Sequence, residues 1–429
     1  MSPSHESEHP HPIVPDTQPV ALAGGRIGSL DFIRGIAVMG ILAANIHAFG
    51  QPMLASIYPA AFAVNHSPAE DWMWAAQLVL IDGKMRGLFA LLFGAGLYLF
   101  IEKAWASGAS RVLQVKRLAW LAVFGLIHFY FIWQGDILFA YAVSGLVVTL
   151  VFLDLSARSQ LVLGVLGMIA GAILYMTSLG FMQSVVDAGE PDNEALAGVY
   201  TAFVEVADEE IADNLAELEI KQDGSYGDYL GHMFEVHGGD PFWGVLDLPF
   251  EIIPFMLLGM ALYRMGLFEG QFNRRKQVLW GWVMLLAGGA LTAIIAVLTL
   301  QNGLTYYATL AAKAGWTVLP RAAMVVGLAF LLSAYAMPEG GWLRARVSAA
   351  GRAAFTNYLG TSIVLLPVFS PWGLDMFGDL GRTELYLVVL AAWVVMLLWS
   401  KPWLDRFRYG PLEWLWRCLT YGKLFALKR

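Results

Sequence analysis

One histidine and one aspartate are spaced so that they can move a proton inside an otherwise apolar chain. His128 lies in an apolar run, and Asp136 follows eight residues later, directly after Gly135. An imidazole can act as a general base near neutral pH, and a carboxylate beside it can orient the ring. To join them, the chain has to bend back after Trp133. A catalytic base and a hydrogen-bonded core histidine both remain open, and Asp136 can also cap the next helix.

The first apolar segment carries two further pairs of polar side chains. Asp31 and Arg34 are three residues apart at its start, so they share a helix face and can form an ion pair. The guanidinium of Arg34 can equally bind a phosphate, and the sequence does not decide between these roles. Asn45 and His47 lie near the other end of the segment, where Asn45 can bond a neighbouring helix.

Other ionisable or polar groups occur near the ends of later apolar segments. A charged group at the centre of a membrane helix costs at least ~2.5 kcal/mol, so each such group is a functional candidate. Together they predict a polar cavity that crosses the bundle, which leaves a transporter, a channel and a membrane enzyme open. The candidate residues are Asp31, Arg34, Lys84, Arg86, Arg321, Arg352, Asn357 and Tyr358.

The composition places these groups in a membrane protein. Of the 429 residues, 58% are hydrophobic and 14% are charged, whereas ordinary soluble chains have about 25% charged residues. Apolar runs of roughly 20 residues recur, as membrane-spanning helices require. The sequence therefore predicts an all-α integral membrane protein with about ten spans, near residues 30–50, 85–101, 117–134, 137–153, 159–181, 244–266, 277–300, 317–337, 353–370 and 383–400.

Residues 69–82 are predicted to form an additional helix that does not cross the membrane. They are apolar and aromatic, but Asp82 and Gly83 interrupt them before the second span. One helix over 69–101 would be too long for a single crossing. We therefore expect a re-entrant or interfacial helix here.

Charge is distributed unevenly along the chain and predicts its orientation. Residues 182–241 contain fifteen acidic residues and one lysine, a net charge of −14, which leaves +7 for the rest. In the ten-span topology one side holds 21 of the 27 basic residues. Because basic loops stay in the cytoplasm, both termini are expected inside, at the cytoplasmic (inner) membrane, with the acidic region outside.

These features divide the chain into five parts. They are a disordered cytoplasmic tail (1–27), a five-helix half (28–181), an acidic extracytoplasmic helical insertion or cap (182–243), a second five-helix half (244–400), and a basic tail with an amphipathic interfacial helix (401–429). The acidic insertion is either a solvated cap or a lid that binds an acceptor. No metal is expected: the single cysteine, Cys418, excludes a cysteine-based zinc cluster, and a solvated tail explains His5, His9 and His11.

Six motifs spread over nearly the whole chain resemble a known family. They read LDFIRGIA at 30–37, LFALLFGAG at 88–96, GLIH at 125–128, GDIL at 135–138, GRAAFTNYL at 351–359 and GPLEWLWR at 410–417. In order and spacing they resemble the YeiB-like proteins, bacterial membrane proteins also known as domain-of-unknown-function family 418. The acidic region matches none of these motifs.

The YeiB-like family is similar to a wider group of transmembrane acyltransferases, which includes the acyltransferase type three proteins and heparan-α-glucosaminide N-acetyltransferase. This similarity implies a ten-helix core that moves an acyl group from cytoplasmic acyl-CoA to a sugar or similar acceptor across the membrane. Type three proteins carry a histidine eleven residues after the arginine of the opening motif. Here that position is Asn45, as in the lysosomal enzyme. The resemblance therefore ranks His128 first as the base, His47 second and His66 third.

The residues and the resemblance together predict a membrane-embedded acyltransferase with acetyl-CoA or another acyl-CoA as donor. Arg34 and Arg352 would bind the donor's phosphates. His128 would deprotonate a hydroxyl or amine of an extracytoplasmic acceptor such as a glycan. Asn45 would donate to the oxyanion, and Asp136 would orient the imidazole. Deeper in the cavity, Lys84 or Arg321 would stabilise developing charge.

Two other functional classes remain open. In a transporter or channel, the buried charges would line a substrate path and His128 would relay protons. In a scaffold that acts through the acidic region, His128→Ala would have no effect. The lipid bilayer is an expected partner, nucleic acid is not, and a homodimer is left open.

Overall fold

Helices make up most of the described part of the chain. The computed structural model describes residues 27–64, 67–336 and 341–429. The predicted tail, apart from its last residue, and the third-ranked His66 lie outside these residues. The helices that the described residues form are α1 (Gly28–Gly50), α2 (Pro68–Leu80), α3 (Lys84–Ala106), α4 (Arg111–Phe131), α5 (Leu138–Val147), α6 (Ala157–Asp187), α7 (Glu194–Asp223), α8 (Tyr226–Glu235), α9 (Asp240–Trp243), α10 (Ile252–Arg264), α11 (Arg274–Gln301), α12 (Tyr306–Leu310), α13 (Val318–Tyr335), α14 (Trp342–Arg352), α15 (Ala354–Phe369), α16 (Arg382–Arg406) and α17 (Pro411–Tyr421).

Seven stretches of the described helices are long and apolar enough to cross a membrane. They are α1, α4, α6, α11, α13, α16 and the combined stretch Pro68–Ala106 of α2 and α3. The pair Asp240–Phe250 and Ile252–Arg264, bent by 49°, makes an eighth when counted as one span. Leu138–Phe152 and Ala354–Phe369 are shorter apolar helices. The prediction of an all-α, multi-pass membrane protein is confirmed at this level, and each predicted span coincides with one of these helices.

Close packing of α1 against α14 fixes the polar start of α1. A Cβ atom at Gly351 would lie 1.9 Å from the backbone oxygen of Asp31, and one at Gly35 would lie 2.0 Å from that of Val347. Glycine at both positions allows the two backbones to approach this closely. The contact brings the start of α1 beside the end of α14, where Arg352 lies.

The helix predicted near 69–82 is observed as α2, but its course differs from one prediction. A turn at 81–83 separates it from α3, and Lys84 bridges the break by donating to the backbone oxygen of Leu78. Gly83 has a φ of 70°, and a Cβ atom there would lie 2.3 Å from Cδ of Arg321, so glycine is required. The chain does not turn back at this break, because α2 and α3 form one apolar helical stretch of 39 residues. The re-entrant course is therefore wrong, and the interfacial one stays a prediction.

The acidic region folds mainly into α7, a helix of 30 residues, and the shorter α8. Glu217 of α7 is buried and accepts hydrogen bonds from the backbone N–H of Met53 and from Nε2 of Gln134, both at 2.9 Å. The hydroxyl of Tyr226 donates to the backbone oxygen of Phe131 at 2.7 Å. These contacts dock the two helices where α1 and α4 end. We call this the acidic end of the bundle, and the opposite end, where α1 and α4 begin, the basic end.

Replacing Glu217 with glutamine is expected to loosen this docking and to lower the free energy of unfolding by about 1–3 kcal/mol. Burial alone would raise the pKa of Glu217, but Lys221 and the hydrogen bonds outweigh burial and hold it below its usual value. A depressed pKa adds stability that is present above the unfolded-state pKa and is lost as pH falls through the folded one. In thermal unfolding in detergent, the difference in midpoint between wild type and variant should therefore shrink as the pH falls below the usual pKa of a glutamate.

The control for this measurement is Glu219→Gln, which changes an exposed carboxylate two residues further along α7. It should leave the unfolding midpoint close to that of wild type. A gap between wild type and Glu217→Gln that stays constant from neutral to acidic pH would contradict the assigned charge interaction.

Candidate functional site

His128 and Asp136 are in direct contact. His128 lies in the last turn of α4, and the chain reverses over residues 132–135. Oδ1 of Asp136 lies 2.8 Å from Nδ1 of His128. The other carboxylate oxygen accepts a hydrogen bond from the backbone N–H of Phe139 at 2.9 Å, in the first turn of α5. Asp136 therefore makes both contacts that the sequence suggested, with the histidine and with the helix start.

The Asp136 contact determines which ring nitrogen of His128 is available. When the carboxylate accepts the Nδ1 hydrogen, the neutral ring carries its lone pair on Nε2. The ring is fully buried, and Nε2 has no hydrogen-bond partner among the described residues. The ring centroids of Tyr358 and Trp133 lie 5.3 and 6.1 Å from that of His128. A buried imidazole with one nitrogen oriented and the other unpaired has the arrangement of a general base.

A basic cavity lies beside this pair and is walled by residues from the basic end of the bundle. Its volume is about 280 Å³. Tyr358 and Ile137 line it, and the backbone N–H of Ile137 donates to the Tyr358 hydroxyl at 3.2 Å. The wall contains five bases and two acids, so it favours an anionic ligand such as a phosphate. These charged residues are Arg34, Lys103, Arg117, Arg352, Arg417, Asp31 and Glu413.

One carboxylate and two aromatic rings hold bases of the basic cavity in position. Arg34 pairs with Asp31 at 3.4 Å, so the predicted ion pair forms. The guanidinium of Arg117 lies 4.6 Å from the ring centroid of Phe100 and 4.5 Å from that of Trp416. Cation–π contacts fix the plane of a guanidinium and leave N–H groups at its edge for a ligand.

The C-terminal helix α17 forms part of the cavity wall, whereas the sequence predicts only an interfacial helix. Nε1 of Trp416 donates to the backbone oxygen of Arg117 at 2.8 Å. Glu413 accepts hydrogen bonds from the backbone N–H groups of Phe355 and Thr356 at 2.8 and 3.1 Å. Because these are the first N–H groups of α15, Glu413 caps that helix from a distant part of the chain.

Replacing Glu413 with alanine is expected to lower the free energy of unfolding by about 1–2 kcal/mol, because the start of α15 loses its acceptor. Thermal unfolding in detergent measures the loss. Glu384→Ala is the control, since Glu384 lies exposed in the first turn of α16. Equal midpoints for the two variants would contradict the capping role.

Two smaller pockets continue from the basic cavity towards the acidic end. Tyr358 lines both the cavity and a narrow pocket of about 10 Å³ that includes Asn45. Phe49 and Trp133 line that pocket and a third one of about 50 Å³ beside α7 and α8. The rings of Phe49 and Trp133 are stacked, with centroids 4.1 Å apart. Tyr358 and this stacked pair therefore separate three pockets that follow one another through the bundle.

Three of the predicted cavity residues belong to a different cluster, at the acidic end. Arg86 donates to Glu251 at 2.6 Å, and Arg321 lies 3.4 Å from the other oxygen of that carboxylate. Lys84 donates to a backbone oxygen of α2. None of the three bases lines the basic cavity. The hypothesis that Lys84 or Arg321 acts deeper in the same cavity does not fit this placement, because Glu251 and the α2 backbone already hold these groups.

Asn357 and His47 also lie away from the wall of the basic cavity. Asn357 donates to a backbone oxygen of α14 at 3.0 Å and to the hydroxyl of Ser400 at 3.2 Å, so it joins three helices. Nε2 of His47 lies 3.5 Å from Nη1 of Arg382. Of the two ranked histidines that the structure describes, His128 is the one that contacts a carboxylate next to the cavity.

Four charged residues of the cavity wall are not among the site residues that the sequence predicts. Lys103 and Arg117 count there only among the 21 basic residues that set the orientation, and Glu413 and Arg417 belong to the predicted interfacial helix. Each of these residues lies near a helix terminus with basic neighbours. Basic residues near helix termini predict a shared anion site only when it is known which helix ends meet in the fold.

Comparisons with known proteins identify relatives that cover nearly the whole chain. A family model described as "Protein of unknown function (DUF418)" matches residues 262–423. The chain is 31% identical to the uncharacterised protein YeiB of Escherichia coli over 409 residues. The aligned region covers 91% of this chain and 95% of YeiB. The chain is also 29% identical to the uncharacterised protein YxaH of Bacillus subtilis over 420 residues. That aligned region covers 93% of this chain and 95% of YxaH. The resemblance carried by the six motifs is confirmed, and the chain belongs to the YeiB-like family.

Proposed function

We propose that the chain is a membrane-embedded acyltransferase that moves an acyl group, most simply acetyl, from cytoplasmic acyl-CoA to a hydroxyl or amine across the membrane. The observation that carries this proposal is the buried His128–Asp136 pair, with Nε2 unpaired among the described residues, beside the tyrosine that separates the basic cavity from the next pocket. The resemblance of the family to transmembrane acyltransferases supports the same reaction.

The basic cavity has the charge and lining that an acyl-CoA needs. CoA carries its phosphates at one end and its thioester at the other, so its site requires cations at the mouth and an apolar channel behind them. Arg34, Arg117 and Arg352 are among the bases of the wall, and Phe93 and Leu121 are among its apolar residues. A volume of about 280 Å³ encloses only part of CoA. We therefore assign the pantetheine arm to the interior and the nucleotide to the mouth.

In the proposed reaction, Nε2 of His128 accepts the proton of the acceptor hydroxyl or amine while the acceptor atom attacks the thioester carbon. The carbonyl oxygen becomes negative, and the side-chain amide of Asn45 donates to it. The C–S bond then breaks, and the imidazolium returns the proton to the leaving CoA thiolate. Asp136 holds Nδ1–H throughout and stabilises the imidazolium. The reaction balances without a metal or a redox cofactor.

We also propose a ten-span topology with both termini in the cytoplasm. The count adds the bent pair and the two shorter apolar helices to the seven long stretches. In this topology 21 of the 27 Lys and Arg residues are cytoplasmic, as the positive-inside rule requires. The basic end then faces the cytoplasm, and α7 and α8 form an acidic extracytoplasmic cap. The acceptor would enter through the pocket beside α7 and α8, opposite the donor.

The three pockets in series also favour a second candidate, a transporter. In that case Tyr358 and the stacked Phe49 and Trp133 would act as gates of a substrate path, and His128 would relay protons. The two candidates differ in chemistry, because only an acyltransferase releases a free CoA thiol.

The experiment that tests the proposal is thermal unfolding of the purified protein in detergent, with and without acetyl-CoA. A ligand that binds the folded state raises the midpoint by mass action. We expect a rise with acetyl-CoA that grows with ligand concentration, and a smaller rise with acetyl-pantetheine, which lacks the nucleotide. No rise with acetyl-CoA or with longer acyl-CoAs would contradict the donor site and direct work to transport assays.

A further inference from the structure

A second buried polar cluster lies at the acidic end, around Arg382 in the first turn of α16. The Arg382 side chain is 1% exposed. Its Nη1 atom lies 3.2 Å from Oε1 of Gln77 and 3.5 Å from Nε2 of His47, and its guanidinium lies 4.4 Å from the ring centroid of Phe62. The ring of Tyr386, one turn further along α16, lies 5.5 Å from that of His47. We call these five residues the Arg382 cluster.

Four polar atoms of the Arg382 cluster are buried without a hydrogen-bond partner among the described residues. They are Nε and Nη2 of Arg382, Nδ1 of His47 and the hydroxyl of Tyr386. Because Arg382 can only donate to Nε2 of His47, the hydrogen of the neutral ring lies on Nδ1. All four atoms can therefore donate. Unpaired buried donors cost about 1–3 kcal/mol each, and more when charged. Nδ1–H of His47 points away from Arg382, so the two guanidinium N–H groups and the Tyr386 hydroxyl are the donors that indicate a shared missing acceptor.

No carboxylate of the described residues forms an ion pair with Arg382. Two acids close to Arg382 have other partners. Asp82 accepts from Gln77 at 2.9 Å and pairs with Lys313 at 3.3 Å. Glu70 accepts from the backbone N–H of Arg382 at 3.1 Å and also from the N-cap backbone of α2. Neither carboxylate therefore makes a direct ion pair with the guanidinium of Arg382.

Two carboxylates at the acidic end pair with bases other than Arg382. Arg86 and Arg321 share the single carboxylate of Glu251, and Lys313 pairs with Asp82. Two arginines therefore share the charge of Glu251, and one lysine matches that of Asp82. An arginine at the start of an apolar helix with no counter-ion is costly, since both burial and lipid disfavour an isolated charge.

We propose that the Arg382 cluster binds a small monovalent anion of the chloride class. The guanidinium supplies Nε–H and Nη2–H, and Tyr386 supplies its hydroxyl. The attraction is strong in a buried site because the effective dielectric constant is low. The bound anion would neutralise Arg382 and hold α1, α2 and α16 together at the acidic end. This site is separate from the basic cavity and does not depend on acyl transfer.

The test compares halide with a bulky anion in thermal unfolding of the full-length protein in detergent. Unfolding midpoints are measured over a series of sodium chloride and sodium gluconate concentrations at equal ionic strength. We expect chloride to raise the midpoint of wild type in a saturable manner. Tyr386→Phe, which removes only the hydroxyl, should raise the half-saturating chloride concentration by about tenfold. Tyr335→Phe is the matched control, because Tyr335 lies exposed at the end of α13.

Arg382→Gln should abolish the rise of the unfolding midpoint with chloride. If Arg382→Gln does not fold, the response of Tyr386→Phe decides whether the cluster binds chloride. Crystals grown in sodium bromide provide the direct view, in which an anomalous peak is expected beside the guanidinium of Arg382. Equal midpoints in chloride and gluconate, or a chloride response that Tyr386→Phe leaves unchanged, would overturn the proposal. An anomalous map with no peak at the Arg382 cluster would overturn it as well.

Discussion

Replacing His128 with glutamine is expected to lower the rate of CoA release from acetyl-CoA by about 10²- to 10⁴-fold, because the attacking acceptor loses its general base. Acetyl-CoA binding should persist, since His128 does not line the basic cavity. The loss should therefore appear in kcat, measured with a thiol-reactive dye, and not in the stabilisation by acetyl-CoA. Asp136→Asn should lower kcat in the same way, because an amide no longer holds the Nδ1–H tautomer.

The chain offers a matched histidine–aspartate pair as a control for His128. Nδ1 of His237 lies 2.8 Å from Oδ2 of Asp240, and both side chains are partly exposed to solvent. His237→Gln should leave the rate of CoA release unchanged. A His128→Gln variant that binds acetyl-CoA and releases CoA as fast as His237→Gln would remove His128 from the reaction.

Replacing Arg34 or Arg117 with alanine is expected to weaken acetyl-CoA binding by about ten- to a hundredfold, because each loses a charge-assisted hydrogen bond to a phosphate. Both guanidiniums are in the wall of the basic cavity. The effect should appear in KM and in the thermal shift, with kcat at saturation little changed. Acetyl-pantetheine, which has no nucleotide phosphates, should bind wild type and both variants alike.

Arg275→Ala is the control for the cavity arginines. Arg275 lies exposed at the start of α11 and does not line the basic cavity. Its replacement removes the same charge and should leave KM unchanged. If all three variants weaken acetyl-CoA binding equally, the effect comes from net charge and the basic cavity is not the donor site.

The local part of the candidate site could be predicted from the sequence. His128 and Asp136 flank one short loop, so their contact requires only that the chain reverse between two helices. Asp31 and Arg34 are three residues apart on one helix, where helical geometry brings side chains together. The apolar runs predict the helices because length and hydrophobicity together set a membrane span.

Contacts between distant helices could not be predicted in this way. Arg382 and His47 are 335 residues apart, and Arg86 and Glu251 are 165 apart. Nothing in a single sequence records which helix ends meet, so the sequence groups Arg86 with the cavity residues although it pairs with Glu251. The capping of α15 by Glu413 could not be predicted either, because the two helices that it joins are distant in the sequence.

The most direct test of the central claim uses sealed inside-out vesicles from cells that express the protein, so that native acceptors stay in the lumen. Acetyl-CoA labelled in its acetyl group is supplied only outside, at the face that was cytoplasmic. We expect free CoA outside the vesicles and labelled product inside them, both lost with His128→Gln and kept with His237→Gln. Label that remains on CoA in wild-type vesicles, or that transfers equally well with His128→Gln, would contradict it.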